Sequence, residues 1–254
     1  MYLGDIKDIN SYDYPTTITH INKSQRSLLV VGDSYSPRIA RPLLKYSYLN
    51  DLNFYLFSSG FTSKLSQFLP FLKDETYIYS PLKRLINSKA ILSGDIVVIS
   101  TLEKPSVSSF RKTEFFKLAE LASSYDLKVV IVGQVPTFHS YQAYNLSSIQ
   151  DERLCKSYFF RPLYALSPSC HVDTSRTSEL SFIKDSDMFF KQLSSDHPYN
   201  IFYFSVFNDL CRQEDSTCTN FRDGYSLYTE RGVHLSDFAI NLFMPRLQNF
   251  LSKL

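Results

Sequence analysis

SLLVVGDSYSPRIARPLL, Ser27 to Leu44, runs a largely apolar stretch into Gly-Asp-Ser and then into a segment able to form a helix. Its first six residues have the continuous apolar character of a strand covered on both faces of a parallel sheet. Gly, Asp and Ser are ordinary turn formers. On these letters alone, Ser34 is either a nucleophile at the tip of a strand or a polar residue in a turn.

Four more β-rich runs follow: NFYLF (53–57), DIVVIS (95–100), KVVIVG (128–133) and IFYFS (201–205). Helix-compatible stretches separate them, at about 36–49, 62–73, 82–92, 108–124 and somewhere within 145–195. A last helix is expected to begin at Ser236, a good N-cap, and to present Phe238, Leu242, Phe243, Leu247, Phe250 and Leu251 as its apolar face. Pro245 is expected to kink it. Strands alternating with helices predict an α/β fold, a three-layer α/β/α sandwich around a mostly parallel five-stranded sheet. Residues 1–26 read as a lead-in and 27–254 as one domain. An insertion at about 134–200 serves either as a lid or as extra helical packing.

The 254 residues carry a net charge of +2, with lysine and arginine scattered rather than gathered into a stripe. That distribution argues against nucleic-acid binding and against a polybasic membrane patch. No apolar run approaches the roughly 18–20 residues needed to cross a bilayer, and the N-terminus lacks the pattern of a signal peptide. Aromatic content is high, with 18 Tyr and 21 Phe but no Trp; so many tyrosines fit surfaces that contact a polar ligand. Nothing calls for a cofactor.

Cys155, Cys170, Cys211 and Cys218 form two local pairs without the spacing of a metal site, and His171 beside Cys170 is too isolated to indicate zinc. Disulfides 155–170 and 211–218 are the economical reading, each contributing ~2–3 kcal/mol by loop entropy. Four reduced cytosolic thiols are the alternative. Bridges would place folding in an oxidising compartment.

A serine needs a base. His234 has the most informative context of the five histidines, in DGYSLYTERGVHLSDFAINLF directly before the last helix. GDS followed much later by His-Leu-Ser resembles the SGNH (GDSL-like) hydrolase superfamily. More narrowly, the Cys211–Cys218 pair followed by Asp-Gly, Leu-Tyr, an acidic position and His-Leu-Ser-Asp resembles the SGNH domain of acyltransferase-3 glycan O-acetyltransferases. VVIVGQVPTF is similar to that family's fourth-strand segment.

The resemblance implies that Ser34 is the nucleophile and His234 its general base. The backbone N–H groups of Ser34 and Gly60 would form the oxyanion site, although Gly60 also fits as a plain turn glycine. Two positions depart from the family pattern. The Asp usually found three residues before the His is Arg231 here, so Glu230 takes that role, or the pair works as a dyad, or a backbone carbonyl holds the ring. The superfamily's oxyanion Asn after the third strand is replaced by Ser100 and Thr101.

Three functions fit. One is an extracytoplasmic domain that acylates a cell-surface polysaccharide, taking an acyl donor and a glycan acceptor and partnered by a membrane acyltransferase domain. The second is a stand-alone secreted or periplasmic esterase. The third is a non-catalytic glycan-binding module, for which Arg231 is the main support.

Overall fold

The computed structural model describes residues 16–17, 26–32, 36–58, 79–87, 89, 91–100, 109–136, 173–223, 225–228 and 235–254. Strand β1 (Thr16–Thr17) is followed by β2 (Ser27–Gly32), helix α1 (Ser36–Leu49), β3 (Asn53–Ser58) and α2 (Tyr79–Asn87). Next come β4 (Ile96–Ser100), α3 (Ser109–Ser124), β5 (Lys128–Val132), β6 (Asp173–Ser175) and α4 (Arg176–Asp196). The chain ends with β7 (Ile201–Phe204), α5 (Phe207–Leu210), β8 (Thr217–Thr219), β9 (Phe221–Arg222), β10 (Tyr225–Ser226) and α6 (Asp237–Leu251).

The main sheet has the order β1-β3-β2-β4-β5-β7. Five of its strands are parallel, as the apolar runs predict, and the sixth comes from the stretch read as lead-in: Thr16 and Thr17 pair antiparallel with Leu56 and Tyr55. The parallel strands end level. Ser58, Gly32, Ser100 and Val132 are successive register partners, and Val132 is paired in turn with Phe204.

Alternation along the strands feeds two cores. Leu28, Val30, Ile96, Val98, Val130 and Val132 face Ile39 and Leu43 of α1 and Ile240, Phe243 and Leu247 of α6. Leu29, Val31, Val97, Ile99, Val129 and Ile131 face α2, α3 and α4, where Leu82, Phe115, Leu118 and Phe190 are buried. Each such side chain contributes about 1.5–3 kcal/mol by leaving water. The result is the expected three-layer α/β/α sandwich. Helix 62–73 lies outside the described residues.

The described end of the stretch read as an insertion, from Asp173 onward, is packing. Helix α4 buries Ile183, Phe190 and Leu193 on its way from β6 to β7. The last helix differs in its face. Ser236 caps it as expected, its Oγ accepting from the Ala239 N–H at 3.1 Å. The buried row, however, is Ala239, Ile240, Phe243, Met244, Leu247 and Leu251, while Phe238, Leu242 and Phe250 are only partly covered. The expected Phe243, Leu247 and Leu251 are buried, and the leucine and phenylalanine spacing missed Ala239, Ile240 and Met244 beside them. The helix runs on through Pro245 to Leu251.

The amino end of the sheet is pinned by Asp95. Its carboxylate accepts from the Ser27 N–H at 2.7 Å and from the Leu92 N–H at 2.8 Å, and the Arg26 Nε donates to the Gly94 carbonyl at 2.8 Å. Burial pushes the Asp95 carboxyl above the usual carboxylate range, while those N–H donors and the Arg26 charge pull it back.

Candidate active site

In an open parallel sheet the reactive groups gather beyond the carboxyl ends of the strands. Ser34, Gly60, Glu230 and His234 all fall outside the described residues. The residues that anchor their segments are described. Ser34 is the middle of the three residues joining Gly32, the end of β2, to Ser36, the buried start of α1. Gly60 is two residues beyond Ser58, which ends β3 level with Gly32.

Gly32 is dictated by a close approach. A Cβ at this position would stand 2.0 Å from the Ser100 carbonyl oxygen. The GDS turn therefore starts pressed against the end of β4, and no larger residue fits there.

The segment with Glu230 and His234 is closed at its base. Tyr228 and Leu235 form an antiparallel bridge, and the Ser236 N–H donates to the Leu227 carbonyl at 2.9 Å. Ser236 Oγ also donates to the Ser226 carbonyl at 2.6 Å. The Tyr228 hydroxyl donates to the Pro136 carbonyl, just past β5, which ties this base to the carboxyl edge of the sheet. The sequence offered Tyr228 only as part of the Leu-Tyr pair in the family resemblance, with no role attached. Nothing in the local pattern says that its hydroxyl reaches a carbonyl 92 residues away.

Helices α1 and α6 lie together on the same face. Arg38 Nη1 is 3.8 Å from Asp237 Oδ1, and Gln248 Nε2 donates to the Pro42 carbonyl at 3.3 Å. Both helices start at the edge where β2 ends, so their N-terminal N–H groups and dipoles favour negative charge there.

Ser100 ends β4 fully buried, and its Oγ has no hydrogen-bond partner among the described residues. Gln134, past β5, is also buried. A hollow of about 280 Å³ opens elsewhere, between Tyr203, Phe204, Arg246, Phe250 and Lys253. It flanks β7, three positions from β2 in the sheet, and is separate from the GDS turn. Among the described residues no group of three or more His, Cys, Asp or Glu side chains could hold a metal ion.

Cys211 and Cys218 are joined in a disulfide with a Cα–Cα distance of 4.9 Å, beside α5 and β8. Cys155 and Cys170 lie outside the described residues.

This three-layer α/β/α sandwich, with β2 ending on Gly32 at the carboxyl edge and the Tyr228–Leu235 bridge tied to that edge through Pro136, is that of an SGNH-type acyltransferase/esterase. The family model described as "SGNH domain (fused to AT3 domains)" matches residues 7–249, and the chain belongs to that family. Among solved structures, it is similar to a Bacteroides fragilis protein assigned as an acylhydrolase, with a TM-score of 0.48 and 10% identity over 91% of this chain and 89% of that one. It is also similar to the periplasmic domain of a lipopolysaccharide acetyltransferase from Salmonella ser. Paratyphi A, with a TM-score of 0.45 and 14% identity over 87% and 84%. No curated protein matches the chain by sequence. No helix among the described residues is long and apolar enough to cross a membrane.

Proposed function

We propose that the chain is the extracytoplasmic acyl-transfer domain of a system that acylates a cell-surface polysaccharide, working through Ser34 and His234. The observation that carries this is the shared start of α1 and α6, marked by Arg38 beside Asp237. Ser34 is two residues from Ser36, and His234 is two residues from Ser236. Each lies within ~7 Å, along the chain, of a helix start at the same sheet edge.

In this mechanism the Ser34 hydroxyl attacks the carbonyl of an acyl donor while His234 takes its proton. The proton passes to the leaving group, and an ester on Ser34 remains. A glycan hydroxyl then gives its proton to His234 and attacks the ester, and Ser34 recovers its proton as the acylated sugar leaves. The Ser34 and Gly60 N–H groups receive the negative charge at each tetrahedral stage. Glu230 orients the imidazole in place of the missing Asp at position 231. No cofactor takes part.

Family membership supports transfer over plain hydrolysis, because its domains are those fused to AT3 domains. That description also supports a membrane acyltransferase as partner and an extracytoplasmic location. The Cys211–Cys218 bridge agrees with such a compartment, and a second bridge, Cys155–Cys170, belongs to the same proposal. Residues 27–254 form one catalytic domain in this scheme, carrying the 134–200 insertion.

The test is turnover of p-nitrophenyl acetate by the parent, Ser34→Ala and His234→Ala proteins, with and without a glycan acceptor. Both substitutions are expected to abolish acyl loss, and the acceptor to collect ester in the parent. Full activity in either variant overturns the mechanism. Acyl loss with no acceptor ester identifies a stand-alone esterase. Glycan binding without turnover in the parent identifies a binding module.

A further inference from the structure

We propose that Ser100 is a third hydrogen-bond donor to the negative charge that develops in this site, an assignment that rests on the Ser34 reading above. Ser100 is completely buried at the last position of β4, and its Oγ has no hydrogen-bond partner among the described residues. A buried hydroxyl in that condition is costly to keep, because its desolvation is not repaid. Serines elsewhere in the described core differ. Ser47 Oγ donates to the Leu44 carbonyl at 2.8 Å and Ser194 Oγ to the Ile201 carbonyl at 2.9 Å.

The position of Ser100 explains why the cost is tolerated. Ser100 is the register partner of Gly32, and its carbonyl oxygen occupies the space a Cβ on Gly32 would need. The chain leaving Gly32 becomes Asp33 and Ser34 at once. Along β4, Ser100 follows the alternation of Ile96 and Val98, which belong to the core under α1 and α6. Its hydroxyl therefore belongs to the face on which the two helices start and on which Tyr228 and Leu235 are buried. Among the described residues the hydroxyl has nothing to donate to. When an acyl carbonyl is attacked, an oxygen acquires negative charge at this edge, and the idle donor gains its partner only then. An interaction made only in that state accelerates the chemical step and leaves ground-state binding alone.

The experiment compares the parent with Ser100→Ala, Ser100→Thr and Ser34→Ala, measuring kcat and KM on p-nitrophenyl acetate and Tm by scanning fluorimetry. Ser100→Ala is expected to lower kcat about 100-fold with KM unchanged within twofold, and to leave Tm unchanged or raised, since no hydrogen bond is lost. Ser100→Thr, which keeps the hydroxyl, is expected to retain most of kcat. A kcat within twofold of the parent in Ser100→Ala, beside an inactive Ser34→Ala, overturns the assignment alone. A parallel fall of kcat and Tm, not rescued by threonine, makes Ser100 a structural residue and also overturns it. Parental turnover in Ser34→Ala removes the site reading and this assignment with it.

Discussion

Arg38 Nη1 stands 3.8 Å from Asp237 Oδ1, joining the first turn of α1 to the first turn of α6. The two side chains are 41% and 69% exposed, so water and salt screen the pair. It records the neighbourhood of two helix starts more than it enforces it. A double-mutant cycle on Arg38→Ala and Asp237→Ala is expected to give a coupling under about 1 kcal/mol that fades in 0.5 M salt, read by urea unfolding. A salt-insensitive coupling of several kcal/mol would contradict the exposed geometry.

Gly32→Ala is expected to be far more damaging than a single methyl implies. The new Cβ meets the Ser100 carbonyl oxygen at 2.0 Å, and backbone cannot swing aside as a side chain can. A destabilisation of about 3 kcal/mol is expected, with turnover falling further because the turn holding Ser34 must shift. Parental stability in this variant would show that β2 and β4 separate easily at their ends.

The Cys211–Cys218 bridge closes a short loop, with a sequence separation of 7. Loop entropy puts its contribution at ~2–3 kcal/mol. Cys211→Ser together with Cys218→Ser is expected to lower the urea midpoint accordingly, and dithiothreitol to lower it further in the parent, because it also opens the proposed Cys155–Cys170 bridge. An unchanged midpoint would mean that packing around α5 alone holds the segment.

Tyr203 supplies a pH dependence. Its hydroxyl donates to Asp187 Oδ1 at 2.7 Å, while Lys191 pairs with the other carboxylate oxygen at 2.6 Å. Burial first, and then the hydrogen bond and charge of Asp187, push its ionisation far above the usual tyrosine value. The folded state thus keeps a proton that the unfolded chain loses near pH 10. Stability from this group is complete below pH 10 and falls by about 1.4 kcal/mol per pH unit above it. Tyr203→Phe is expected to cost ~1 kcal/mol at pH 8 and to lose less than the parent between pH 10 and 11. Parallel stability curves for the two proteins would refute the assignment.

The strands were legible because runs such as SLLVVG and KVVIV are apolar at every position, a pattern that only a doubly covered sheet requires. The Ser236 cap was legible for a similar reason, since one serine ahead of an apolar run has few other uses. Thr16–Thr17 was not, because two threonines in a polar stretch carry no period. Half of the α6 face was legible, in Phe243, Leu247 and Leu251; Ala239 and Met244 escaped because they weigh little beside nearby phenylalanines. Gly32 could be quoted as part of a motif, but its necessity comes from a carbonyl 68 residues away. Ser100 could be quoted as well, yet that its hydroxyl has no partner among the described residues shows only in the fold.

The bridge between Tyr228 and Leu235 gives the six residues between them the character of a replaceable cassette. Its ends are fastened to each other and, through Tyr228, to Pro136. If the proposed mechanism holds, the acid that accompanies the histidine can be exchanged between two ends that are already fixed. A chimera carrying another family member's six residues is the direct way to vary catalytic power on an unaltered scaffold.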